Sequence, residues 1–124
     1  MSVTLLALYR RPEGGEEAEA TFRRRYRDEH LPLIRKVPGL RSLHVASVDQ
    51  RLMGDDDFIV VTRMVFDDRA SLDAGLASDE MRVAGRNLRD VAPGIVSLFI
   101  AGPDPEMGAL AADLPAEEAG PERG

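Results

Sequence analysis

The sequence predicts an α+β fold in which a four-stranded antiparallel sheet carries its helices on one face. Three observations point there. Four β-rich runs, Val3–Tyr9, Arg41–Asp49, Phe58–Phe66 and Ile95–Ala101, are separated by two helical stretches in the order β-α-β-β-α-β. The first helical stretch repeats Ala18, Phe22, Tyr26 and His30 every four residues, so one side of it faces a core. Strand runs such as Phe58-Ile59-Val60-Val61 are apolar on successive residues, so both faces of the sheet require cover that the helices supply on one side only. A second copy of the sheet is the expected cover, which makes a homodimer through the sheet faces the expected assembly.

Each element has a local cause. Val3–Tyr9 is rich in Leu and Val and reads as a strand buried on both faces. Arg10-Arg11-Pro12-Glu13-Gly14-Gly15 breaks it. Glu16, Glu17 and Glu19 then favour a helix start, because carboxylates suit the positive end of the helix dipole. The stripe of that helix continues through Leu33 and Val37. Its other side carries Glu19–Arg23, Arg24–Asp28 and Arg25–Glu29 at i,i+4 spacing, the spacing of surface ion pairs. Pro32 has no N–H to donate, so the helix is expected to kink or restart near His30 and Leu31 and to free a carbonyl there. Val37-Pro38-Gly39-Leu40 ends it.

The next run alternates, with Leu43, Val45 and Ser47 on one face and His44, Ala46 and Val48 on the other. A polar loop over residues 49–57 leads to Phe58–Phe66, and these two strands are expected to form a hairpin. Asp67-Asp68 can cap a helix from Arg69 to Ala77, and Ser78 followed by Asp79 and Glu80 caps a second one reaching Val91. Ala92-Pro93-Gly94 stops it before the last strand. The whole is the ferredoxin-like split pattern. Residues 1–102 form the expected domain, and residues 103–124, rich in Ala, Glu, Pro and Gly, read as a flexible acidic tail with a weak helix over Met107–Leu114.

The bulk numbers narrow the function classes. The 124 residues suit one domain. No Cys is present, which excludes disulfides, thiolate metal sites and a Cys nucleophile. No signal peptide and no apolar run of membrane-spanning length is visible, so a cytoplasmic protein without membrane contact is expected. The net charge of -6 is concentrated in the tail, which carries six acids and one Arg, so the body is nearly neutral. That gives no electrostatic case for nucleic-acid binding, and the acids interleaved around Arg23-Arg24-Arg25 with no aromatic platform argue the same way. Asp55-Asp56-Asp57 lacks the spaced ligands and distal Glu of a calcium loop and reads as a solvated hairpin loop. Two His residues alone do not make a metal site, so no metal is expected. Gly85-Arg86-Asn87 lacks the Lys and the spacing of a phosphate loop, and no dinucleotide fingerprint occurs.

With these residues in view, the chain resembles the EthD-like family of the dimeric α/β-barrel superfamily. The resemblance rests on Leu8-Tyr9-Arg10-Arg11-Pro12, Phe22, Tyr26, His30-Leu31-Pro32-Leu33 and Pro38-Gly39-Leu40. It runs from about Thr4 to Gly102, the second half matching as a pattern of elements. The resemblance implies a dimer whose sheets pack face to face, and a small pocket in each subunit between sheet and helices. It also implies chemistry of the kind found in the wider superfamily: cofactor-free monooxygenases, cyclases and an isomerase, with haem enzymes as further members. Fold alone does not choose among them.

His30 is the candidate catalytic residue. Beside Phe22 and Leu33 its ring is expected to stay neutral, and a neutral imidazole in a pocket can take a proton from an activated carbon or a phenol. The competing reading is a core His bonded to the carbonyl that Pro32 frees. Tyr26, one turn earlier, and Tyr9, at the end of the first strand, are candidate substrate-binding residues whose alternative is core packing. His44 and Arg63 complete the candidate set. His44 faces either the pocket or the dimer interface, and Arg63, the one charge inside the third strand, is either an anion anchor or half of an ion pair across the dimer. Two functions follow: a small cofactor-independent enzyme acting on a carbonyl-bearing or aromatic metabolite, with His30 as general acid or base, or a non-catalytic dimeric small-molecule-binding or accessory protein.

Overall fold

The structure is a computed structural model, and it describes residues 2–110. Its elements are β1 (Val3–Arg10), α1 (Gly15–Arg25), a five-residue π-helical turn (Tyr26–His30), α2 (Leu31–Ile34), β2 (Leu40–Ser47), β3 (Phe58–Phe66), α3 (Arg69–Leu76), α4 (Asp79–Val91) and β4 (Val96–Ala101). The sheet order is β2-β3-β1-β4, with every neighbouring pair antiparallel. This is the expected α+β, ferredoxin-like arrangement.

Alternation along the strands sorts the two faces. On β1, Val3, Leu5, Ala7 and Tyr9 are buried toward the helices, while Thr4, Leu6 and Leu8 are half-buried on the outer face. The expectation that β1 is buried on both faces therefore holds for one face of the single chain, because among the described residues nothing covers the other. The register carries the inner set across the sheet: Leu5 pairs with Met64 and Ile100, and Ala7 with Thr62 and Leu98.

The helical side is built in three pieces. α1 hands over to the π turn, where the Leu31 N–H reaches back five residues to the Tyr26 carbonyl. Pro32 occupies the first turn of α2, where its missing N–H costs nothing. The buried stripe then continues at Ile34 and Val37, with Leu33 only partly buried. Arg23 pairs with Glu19, and Arg25 with Glu29. Asp28 pairs with its neighbour Arg27 and not with Arg24 as the i,i+4 spacing suggested.

The N-caps follow the sequence. Asp68 accepts from the Ser71 N–H at 2.8 Å, and Ser78 from the Met81 N–H at 3.1 Å. Gly39, at φ +84°, makes the turn that follows Pro38. Gly75 lets α3 approach β3, since a Cβ there would stand 2.9 Å from the Phe66 ring. The acidic loop before β3 is tied back by Arg10–Asp56 and Arg11–Asp57 pairs. Beyond β4, Met107–Ala109 is a short 3-10 turn, and the rest of the expected weak helix and tail lies outside the described residues.

Candidate active site

The π turn places His30 between α4 and the inner face of the sheet. The ring is 3 % exposed. Burial pushes its pKa below the ordinary 6.5, opposed in part by its hydrogen bond to Asn87, so the imidazole is neutral at pH 7. Tyr26, one turn earlier, stacks on it with ring centroids 5.3 Å apart at 26°.

A polar chain decides which nitrogen carries the proton. Arg25 holds Glu29 with Nε–Oε2 and Nη2–Oε1 bonds of 2.9 and 3.0 Å, and also reaches Asp90. That Arg25 contact holds the Glu29 carboxyl below its usual range, so it is ionised and only accepts. Glu29 takes a hydrogen bond from the Asn87 Nδ2 at 3.1 Å. The amide is thereby oriented with Oδ1 toward His30, 3.1 Å from Nδ1. An amide oxygen only accepts, so Nδ1 must carry the hydrogen. In the neutral ring Nε2 is then left with its lone pair. Among the described residues Nε2 has no hydrogen-bond partner.

His30 lines a cavity of about 190 Å³ between the sheet and α4. The other walls are almost entirely apolar, among them Leu5, Ala7, Met64, Met81, Leu88 and Leu98. Tyr9 also lines it. Tyr26 stands behind His30 and outside the lining, with its hydroxyl 2.6 Å from Thr62 Oγ1. Tyr9, Phe22 and Tyr26 form one aromatic cluster, with centroids 4.8 to 5.5 Å apart. Burial raises the pKa of both tyrosines, so neither phenol is a base at neutral pH.

His44 and Arg63 lie elsewhere. They are direct cross-strand partners on β2 and β3, and the register carries their row through Leu6 of β1 to Phe99 of β4. That row is on the outer face, opposite the cavity. Both side chains are exposed in the single chain, and Arg63 has no ion-pair partner among the described residues.

Asn87 is the residue that sequence reading missed. On α4 it reads as one more polar residue of a solvated helix face. Only the docking of α4 against the π turn reveals that it touches both Glu29 and His30.

Known proteins place this geometry. The EthD domain model matches residues 15–90. An ethyl tert-butyl ether D (EthD) family protein from Bacillus halodurans C-125 is 33 % identical over 84 % of this chain and 100 % of its own, with a TM-score of 0.74. A dimeric ferredoxin-like protein of unknown function from Jannaschia sp. CCS1 is 19 % identical over 82 % of this chain and 99 % of its own, with a TM-score of 0.60. SnoaB, a cofactor-independent oxygenase from Streptomyces nogalater, is 17 % identical over 82 % of this chain and 92 % of its own, with a TM-score of 0.53. The last two likenesses are of fold. No protein of curated function matches. The matched domain model and the relative from B. halodurans together make this chain a member of the EthD family.

Proposed function

We propose that this EthD-family chain is a small enzyme that needs no cofactor and uses His30 as a general base on a carbonyl-bearing or aromatic metabolite. The observation that carries the proposal is that His30 lines an apolar cavity while its Nδ1 is engaged by the Asn87 Oδ1, which leaves Nε2 as the basic nitrogen of the neutral ring. There it takes a proton from an acidified C–H or O–H. The electron pair of that bond stays on the substrate, and the imidazolium returns the proton later, to the same or another atom. Oxygenation, cyclisation and isomerisation all begin with this step. The fold likeness to a cofactor-independent oxygenase supports the same class.

The working form is a homodimer. Structural neighbours are described as dimeric ferredoxin-like proteins, and the outer sheet face of this chain carries Leu6, Val61, Val65 and Phe99 with no cover from its own helices. His44 and Arg63 then belong to the interface, where Arg63 meets a carboxylate of the second copy. Among the described residues no helix is long and apolar enough to cross a membrane.

The test has two stages. Carbonyl-bearing and aromatic metabolites are screened for thermal stabilisation of the protein. Turnover of each hit is then measured with the parent and with His30→Ala, and loss of a general base is expected to cost about 10²- to 10⁴-fold. Unchanged turnover in the folded variant refutes the role. A second reading, a non-catalytic binding or accessory protein, draws on the fact that among the described residues Tyr9 is the only other titratable group lining the cavity, and its phenol is held neutral. Stabilising hits that the parent never converts would select it.

A further inference from the structure

The cavity's walls discriminate among ligands more sharply than its size does. Its volume of about 190 Å³ is that of a single-ring site, given that an engineered apolar cavity of roughly 150 Å³ takes up benzene. Its polar side chains are those of His30 and Tyr9, and the base among them is the neutral His30 ring, since the Tyr9 phenol is held neutral. Among the described residues no cation lines it, and Arg25, the guanidinium of the polar chain, is engaged by Glu29 and Asp90. A carboxylate entering here would leave water, find no counter-charge, and face a lone pair with its own oxygens. A ligand with an O–H finds the acceptor it needs.

Gly85 shows that the space is kept open. It sits mid-way along α4 with helical backbone geometry, so no left-handed conformation demands glycine there. A Cβ built on it would meet nothing nearer than Arg89 Nη1 at 3.9 Å, so close packing does not demand glycine either. Glycine inside a helix is unfavourable relative to alanine. What distinguishes the position is that Gly85 lines the His30 cavity and also a neighbouring one of about 480 Å³, which shares Leu88 and Leu98 with it. The missing side chain leaves room where the two cavities meet.

We propose that the His30 cavity selects an uncharged, single-ring molecule bearing one O–H donor, a phenol in the simplest case, that it excludes carboxylates, and that Gly85 keeps open the space the ring occupies. The proposal rests on the reading of His30 as an acceptor in the site and names the ligand class for it. The O–H points at Nε2, and the ring lies among Leu5, Met64, Leu88 and Leu98.

The test uses phenol, toluene and benzoate as probes, titrated into the full chain at pH 7.5 and followed by methyl shifts of the cavity leucines and methionines. Phenol is expected to bind about tenfold more tightly than toluene, the worth of one well-placed hydrogen bond, and benzoate not to bind. His30→Ala is expected to abolish the advantage of phenol over toluene while toluene binding persists. Gly85→Ala is expected to raise the thermal midpoint and to weaken phenol and toluene alike, by roughly fivefold, through crowding of the ring. This second variant keeps the test sharp if His30→Ala fails to fold. Benzoate binding as tightly as phenol, phenol failing to bind, or Gly85→Ala leaving affinity unchanged would each overturn the proposal. Phenol bound at His30, with turnover of a converted metabolite unchanged in His30→Ala, supports this ligand class and refutes the catalytic reading. Turnover of a carboxylate substrate that depends on His30 does the reverse.

Discussion

His30 Nδ1 and Asn87 Oδ1 meet at 3.1 Å across 57 positions of sequence, and the bond joins the π turn of the first helix to the middle of α4. It is a single contact with two consequences. It holds the imidazole ring against rotation, and it assigns the ring's only hydrogen to Nδ1.

Asn87 is therefore expected to act on His30 without touching a ligand. Asn87→Leu removes the acceptor for Nδ1–H and is expected to cost about 1–2 kcal/mol of stability, the usual range for a partly buried polar group left unpaired. Asn87→Asp is expected to raise the His30 pKa, because a carboxylate beside the ring favours the imidazolium. The check is a denaturant titration of the first variant and an NMR titration of the His30 ring in the second.

The Tyr26–Thr62 bond is the second buried polar contact, at 2.6 Å with Thr62 only 1 % exposed. Tyr26→Phe and Thr62→Val each orphan the other hydroxyl and are each expected to destabilise by about 1–3 kcal/mol. The double variant is expected to cost less than the sum of the two, since both polar groups then leave together. A double-mutant cycle by urea unfolding measures the coupling.

The pH dependence follows from burial of His30. Its folded pKa lies below the unfolded value, so the unfolded chain takes up the proton first on acidification. The contribution of His30 to stability is full above the unfolded pKa of about 6.5 and declines as pH falls toward the folded pKa, below which it changes no further. Activity that uses the neutral ring is expected to show an acid limb below the ordinary histidine value and no loss from this group on the alkaline side. A pH profile of kcat/KM against that of the free protein's stability separates the two.

The outer sheet face carries the assembly. The parent is expected to run at about twice the 13.6 kDa chain mass in light scattering. Leu6→Glu, in the row shared with Arg63 and Phe99, is expected to run as a monomer with its sheet intact.

Much of this architecture is legible in the sequence because its causes are local. Strand alternation, the Pro38-Gly39 turn and the Asp68 and Ser78 caps each act over a few residues and each appear where expected. The π turn is less visible, yet it leaves a trace. Phe22, Tyr26, His30 and Ile34 are all buried at steps of four, and an α-helix of 3.6 residues per turn would drift about 40° at each step. One inserted residue returns the stripe to the core, so a four-step pattern held this long before a Pro is the signal for it. The face that His44 and Arg63 take is different, because alternation gives two sets of residues and not their direction. The register of β2 on β3 settles it by putting Leu43 beside the inner residue Met64. Asn87 leaves no sequence signal at all, since its role exists only where α4 and the π turn meet.

The central claim is that His30 presents an unprotonated Nε2 to the cavity. Long-range proton–nitrogen correlation of the His30 ring at pH 8 reads this directly. The expected spectrum is that of the Nδ1–H tautomer, with Nε2 at the shift of an unprotonated nitrogen and the pattern lost in Asn87→Leu. A ring protonated on Nε2, or on both nitrogens at that pH, would contradict it.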